Sequence, residues 1–196
     1  MKKFQLVLVA VLLVAVSWFA IVKKVKVELP SYGQVPPFEF QDQSGKDFSS
    51  QSLKGKVWVA GFIFTRCAGP CPVISSKMAA LKKRLHYSTK FNLVSFSIDP
   101  EYDTPEKLSE YSKNFDQAEG PQWHFLTGSK ANIHELAAKA FMQAASEDAS
   151  QENIQNRFMH GTRLALVDTA GNIRGFYDSA SPTVVDELER DIRSIL

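Results

Sequence analysis

An α/β fold, with a largely parallel sheet covered on both faces, is the architecture this sequence predicts. Three observations carry it. Val57–Phe64 and Phe91–Asp99 read as central strands, the first almost wholly apolar, as strands buried on both faces are. Between them Ile74, Met78, Leu81 and Leu85 recur at i, i+4, i+7 and i+11, which is one face of a helix. After them "TRLALVDTAGNIRGFYD" alternates as a hairpin turning at Asp168–Asn172, and a last helix follows.

Taken in order, the chain begins with Met1-Lys2-Lys3, a short tail expected in the cytoplasm. The uncharged run Phe4–Val22 follows and is closed by Lys23-Lys24. Nineteen helical residues span roughly 28 Å, close to the hydrocarbon thickness of a bilayer. A cleavable signal with Ala15-Val16-Ser17 at its site would leave an apolar Trp18–Val22 scar, so an uncleaved anchor over 4–22 is the reading. Residues 23–33 form a linker and 34–196 one exported domain. There Phe38-Glu39-Phe40 is extended, Gly45 turns the chain, and Ser50–Leu53 makes a helical turn before the first central strand. Thr104-Pro105 caps a helix running to about Phe115. "WHFLTG" is a short extended piece, residues 130–145 are helical, and Ser146–Asn156 is a polar loop without apolar period. Ser181-Pro182 opens the last helix, striped by Val184, Val185, Leu188 and Ile192. Strand, helix, strand, helix, hairpin, helix is the thioredoxin-like order, here with extra N-terminal strands and one preceding transmembrane helix.

Charge excludes one class of partner. Five of the 23 lysines and arginines fall in the first 26 residues, leaving 18 against all 21 acids, a net of −3 for the rest. A mildly acidic domain without a basic stripe is a poor nucleic-acid binder. The domain is also large enough to bury its own core, so it needs no disulfide staple even in an oxidising compartment.

The only two cysteines, Cys67 and Cys71, therefore read as chemistry. They sit in "FIFTRCAGPCPVISSKM", where a strand stops and a helix starts. Amide N–H groups and the helix dipole at such a junction favour negative charge, so lowered thiol pKa values are expected. At helical i, i+4 spacing the Cβ atoms would stand about 5–6 Å apart, against about 3.8 Å for a disulfide. A metal between two sulfurs tolerates the wider gap, and two thiolates suit copper better than zinc, which wants four ligands. A redox dithiol remains open on the same residues. Of four histidines, His86 reads as a helix-end residue, His134 as a surface residue and His124 as a packing residue. His160, in "NRFMHGTRLALVD", ends the polar loop that a thioredoxin-like fold lays beside the cysteine junction, and is the candidate third ligand.

"GFIFTRCAGPCP", "SIDPEYDTPEKLSEY" and "MHGTRLALVDTAGNIRGFY", in this order, resemble the motifs of the SCO/SenC family of membrane-anchored, thioredoxin-fold copper proteins. The likeness runs over about residues 34–196. It implies that Cys67, Cys71 and His160 bind one copper ion, Cu(I) or Cu(II), per chain. It further implies a chaperone that delivers copper to, or maintains the thiols of, the dicopper site of cytochrome c oxidase. The implied partners are a copper-accepting oxidase subunit or similar exported cuproprotein, and a thiol reductant, on the outer, periplasmic side of the inner membrane. Asp99, Pro100, Asp103, Thr104 and Pro105 match the family's D-P-x-x-D-T-P element, read as a helix start near the site with acids available for docking. One departure is Ala68, which replaces the first inter-cysteine proline. The alternative is an anchored thiol–disulfide oxidoreductase using Cys67 and Cys71 as a catalytic dithiol without carrying copper.

Overall fold

The computed structural model describes residues 28–143, 145–147, 150 and 158–196, together with Gln5; within 145–147 and 158–160 it describes the backbone alone. The expected tail and anchor thus lie outside the described residues apart from Gln5. Among the described residues no helix is long and apolar enough to cross a membrane.

The strands are β1 (Glu39–Asp42), β2 (Asp47–Ser49), β3 (Val57–Ile63), β4 (Phe91–Ser97), β5 (Gln122–Thr127), β6 (Ala145–Glu147), β7 (Phe158–His160), β8 (Arg163–Val167) and β9 (Ile173–Asp178). The helices are α1 (Pro70–Arg84), α2 (Pro105–Ser112), α3 (Lys130–Lys139) and α4 (Val184–Ile195), with a 3₁₀ turn at Ser50–Leu53. Seven strands form one sheet in the order β2-β1-β5-β4-β3-β8-β9, and β6 pairs with β7 alone. Among the described residues only β3/β4 and β4/β5 pair in parallel; β1/β2, β1/β5, β3/β8 and β8/β9 are antiparallel. The sheet is therefore mixed rather than largely parallel. Helical crossovers force parallel neighbours only in its middle, while hairpins extend it at both ends. The order is thioredoxin-like, with β1 and β2 as the added N-terminal strands.

Side-chain alternation along β3 sorts the core into two layers. Gly61 faces α1, where a Cβ would stand 3.0 Å from Met78 Sδ, 3.2 Å from Ile74 Cγ2 and 3.3 Å from Leu164 Cδ2. Its missing side chain lets the helix sit close. Ile74, Met78, Leu81 and Leu85 are all fully buried on that face, as their spacing requires. Trp58 and Phe62 point the other way, into an aromatic layer with Phe38, Phe96 and Phe141. Burial of each such ring is worth roughly 1.5–3 kcal/mol.

The extended piece expected in "WHFLTG" is β5, a full strand inside the sheet that ends at Thr127. Three helix ends differ from expectation. α2 stops at Ser112 rather than near Phe115. α3 stops at Lys139, because Met142 adopts φ 48°, a left-handed backbone that no helix continues through. The last helix is entered at Thr183 rather than at Ser181, whose hydroxyl instead meets the Thr183 hydroxyl. Upstream, the backbones of residues 32–35 bond to the β9 edge and its turn, and Leu29 is buried in the core.

Candidate metal and thiol site

β3 delivers the chain to the C-terminal edge of the sheet, where Cys67 N–H donates to Phe64 O at 3.2 Å and closes a turn. Gly69 then caps α1, with Pro70 as the first helical residue, its lost N–H being one the helix would leave unbonded anyway. Cys71 is the second residue of the helix and Cys67 precedes it, so helical i, i+4 spacing does not apply. The turn brings the two sulfurs into hydrogen-bond contact, without a disulfide between them. Cys71 is fully buried and Cys67 only 7% exposed, with its Sγ 3.9 Å from where a Gly69 Cβ would stand.

That contact overturns the expectation of two lowered thiol pKa values. The hydrogen bond with Cys67 pushes the Cys71 thiol far up, and burial and the nearby Cys67 charge push it further. A hydrogen bond from the Phe64 backbone opposes this without prevailing. The helix dipole acts on the site, but two touching sulfurs in a desolvated pocket hold one negative charge far more readily than two.

Residues ahead of Cys67 are fixed by a network that sequence reading assigned otherwise. Asp103, fully buried, accepts hydrogen bonds from Thr65 N–H (3.0 Å), the Thr65 hydroxyl and the Ser97 hydroxyl (2.6 Å). Ser97 Oγ in turn accepts from Asp99 N–H at 3.1 Å. Desolvation raises the Asp103 pKa, although Ser97 and Thr65 pull it back. Asp99, 3% exposed, takes both Nε and Nη2 of Arg66, whose guanidinium lies 3.8 Å from the Tyr102 ring centroid. Both acids are thus turned inward onto the cysteine turn rather than outward for docking. Ile98 N–H donates to Ile63 O at 2.9 Å, tying the two strand ends together. Behind α1, Ser75 Oγ and Tyr111 Oη stand 2.9 Å apart, and burial, with the cysteines nearby, keeps the Tyr111 phenol protonated.

His160 ends β7, with Ala145 of β6 opposite it. β8 runs antiparallel to β3 with Ala165 opposite Ala60, so its first residues lie at the end of β3 that feeds the cysteine turn. Arg163 lies three residue steps after His160, at most roughly 11 Å of chain. Its side chain lies outside the described residues. The other histidines are engaged elsewhere: His86 Nδ1 with Lys83 O (3.0 Å), His134 Nε2 with Ile98 O (2.8 Å), and His124 against the Phe48 ring. His134 is half-buried rather than a surface residue. Among the described residues no cluster of three His, Cys, Asp or Glu side chains forms, so the described part of the site supplies two soft sulfur donors.

Known proteins resemble this chain in sequence and in fold. The chain is 35% identical over 163 residues to the SCO1 protein homolog of Bacillus subtilis, covering 82% of each. Its fold matches BsSco, a member of the Sco family of cytochrome c oxidase assembly proteins in which a disulfide switch was identified. That match has TM-score 0.72 and 32% identity, covering 86% of this chain and 97% of that one. It also matches copper-bound ScoI of Bradyrhizobium japonicum, with TM-score 0.70 and 25% identity, covering 83% and 99%. The SCO1/SenC family model matches residues 29–196, cysteine turn included. The chain belongs to the SCO1/SenC family.

Proposed function

We propose that this protein is a membrane-anchored copper chaperone. It binds one copper ion through Cys67, Cys71 and His160 and serves the dicopper site of cytochrome c oxidase. The observation that carries the reading is the pair of buried sulfurs in contact at the C-terminal edge of β3. The proton shared between them stands where a soft cation would bind. Replacing it with Cu(I) or Cu(II) neutralises thiolates that the pocket otherwise strains to charge. Copper-bound ScoI and the assembly role of BsSco support the cargo and the destination. The apolar run 4–22 supplies the anchor, and the domain that follows it lies on the outer face of the inner membrane. His160 supplies a nitrogen that matters more for Cu(II) than for Cu(I).

Transfer proceeds by ligand exchange, an acceptor thiolate or imidazole replacing Cys67 first because it is the more exposed cysteine. Deleting the gene is expected to lower cytochrome c oxidase activity. Wild-type protein restores it, and Cys67→Ala or Cys71→Ala protein does not. Full restoration by a cysteine variant would contradict the reading.

The contact between the sulfurs also favours a second role. Cys67 thiolate attacks a partner's disulfide and releases one partner thiol. Cys71 sulfur then displaces the other, leaving a Cys67–Cys71 disulfide and the partner reduced by two electrons. A thiol reductant resets the pair. This role needs no copper and no His160, so fast disulfide reduction by His160→Ala protein distinguishes it.

A further inference from the structure

α3 does not simply fray into the loop that follows it. Phe141 N–H donates to Leu136 O at 3.3 Å and Gln143 N–H to Ala137 O at 3.0 Å, while Met142 at φ 48° reverses the chain between them. The reversal drives Gln143 inward until it is 2% exposed. There its Nε2 donates to Arg163 O at 2.8 Å, and Arg163 Nη2 donates back to Met142 O at 2.7 Å. The amide also fills the space beside Gly161, where any Cβ would overlap Gln143 Oε1 and stand 3.0 Å from its Cβ and Cδ. Two residues beyond Gln143, Ala145 pairs with His160. One side chain thus grips the root of the hairpin from both of its strands.

Packing alone does not account for an amide here. Among the described residues Gln143 Oε1 is buried with no hydrogen-bond partner. An unsatisfied buried carbonyl destabilises the fold, and methionine at the same volume would remove that cost while giving up the bond to Arg163 O. What the amide provides, and methionine cannot, is the bond that fixes the backbone at Arg163.

We propose that Gln143 is a positioning residue for copper: by clamping Gly161–Arg163 it sets where His160 stands relative to the cysteine turn. The inference rests on the reading of His160 as a ligand. A nitrogen ligand matters chiefly to Cu(II), so the clamp acts on Cu(II) and leaves the two-sulfur Cu(I) site alone.

The test uses the full chain in mild detergent, reduced and loaded anaerobically with Cu(I) or with Cu(II). Gln143→Met is compared with wild type and His160→Ala by competitive titration, Cu(II) paramagnetic resonance and apo-protein melting. Gln143→Met is expected to keep its Cu(I) affinity and its melting temperature. Its Cu(II) affinity falls about 10–100-fold, and its resonance shifts towards that of His160→Ala. The double variant Gln143→Ala/Gly161→Ala, in which a methyl refills the vacated space, is expected to lose Cu(II) in the same way. Should His160→Ala change the Cu(II) site while both Gln143 variants keep the wild-type resonance and affinity, the clamp is refuted and the ligand reading stands. Should His160→Ala leave the Cu(II) site unchanged, the ligand reading falls and takes the clamp with it.

Discussion

Asp103 anchors the cysteine turn, and its replacement has a size that can be worked out. Asp103→Ala removes the acceptor for Thr65 N–H, the Thr65 hydroxyl and the Ser97 hydroxyl in a fully buried pocket. The hydroxyls can rotate; the amide cannot. At about 1–3 kcal/mol for each stranded donor, and allowing for rotation, the loss is about 3–5 kcal/mol. For a chain of this size each kcal/mol moves Tm by roughly 2–4 °C. Asp103→Asn behaves differently. Its oxygen can face Thr65 N–H and Ser97 O–H while its NH₂ donates to Thr65 Oγ1, so the loss at low pH is about 1–2 kcal/mol. The two variants also separate by pH. The Asp103 pKa is raised above its ordinary 3.8, so the folded state prefers the protonated acid. The stability this confers is fully present below 3.8 and is lost as pH rises through the folded value. Asparagine has no such loss. Denaturant unfolding of wild type and both variants at a series of pH values from 3.5 to about 8 should show Asp103→Asn gaining on wild type as pH rises, and Asp103→Ala well below both. An Asp103→Ala protein as stable as wild type, or a pH-independent gap between asparagine and wild type, would refute the argument.

Other perturbations follow from the same contacts. A thiol-alkylating reagent at neutral pH should modify Cys67 before Cys71, because the Cys67 hydrogen bond and burial hold the Cys71 thiol protonated; peptide mass spectrometry giving the reverse order would contradict this. Gly61→Ala pushes a methyl against Met78, Ile74 and Leu164 and should cost about 1–3 kcal/mol in denaturant unfolding, whereas a cost near zero would mean that α1 can shift outward freely. Met142→Gly relieves a left-handed non-glycine backbone and should stabilise the fold by about 1 kcal/mol, with a lower Tm as the contrary result.

How far the sequence carried the reading depended on the range of the interactions involved. Ile74, Met78, Leu81 and Leu85 announced α1 because a helix writes its buried face at a local period. Ser50–Leu53 and the Asp168–Asn172 turn were legible for the same reason, since turn chemistry is local. The cysteines were legible as a site because two thiols placed where a strand stops and a helix starts are a local signal. The raised Cys71 thiol was not, because it depends on two sulfurs meeting across a turn that only folding closes. Asp103 looked like an exposed helix-start acid; its partner Thr65 lies 38 residues away, and no local pattern links them. β6 and β7, three residues each, are too short to show alternation, so β6 was read as the end of a helix and the start of a polar loop, and His160 of β7 as the end of that loop. Gln143 gave no signal at all, since its role rests on Gly161 and Arg163 arriving from beyond the hairpin.

The most direct test of the account is a copper count on the reduced, anaerobic full chain in mild detergent, titrated against a competing chelator. One tightly held copper per chain is expected, abolished by Cys67→Ala or Cys71→Ala, with Cu(II) weakened more than Cu(I) by His160→Ala. A chain that never competes with the chelator would contradict it and leave the buried cysteine pair as a redox dithiol.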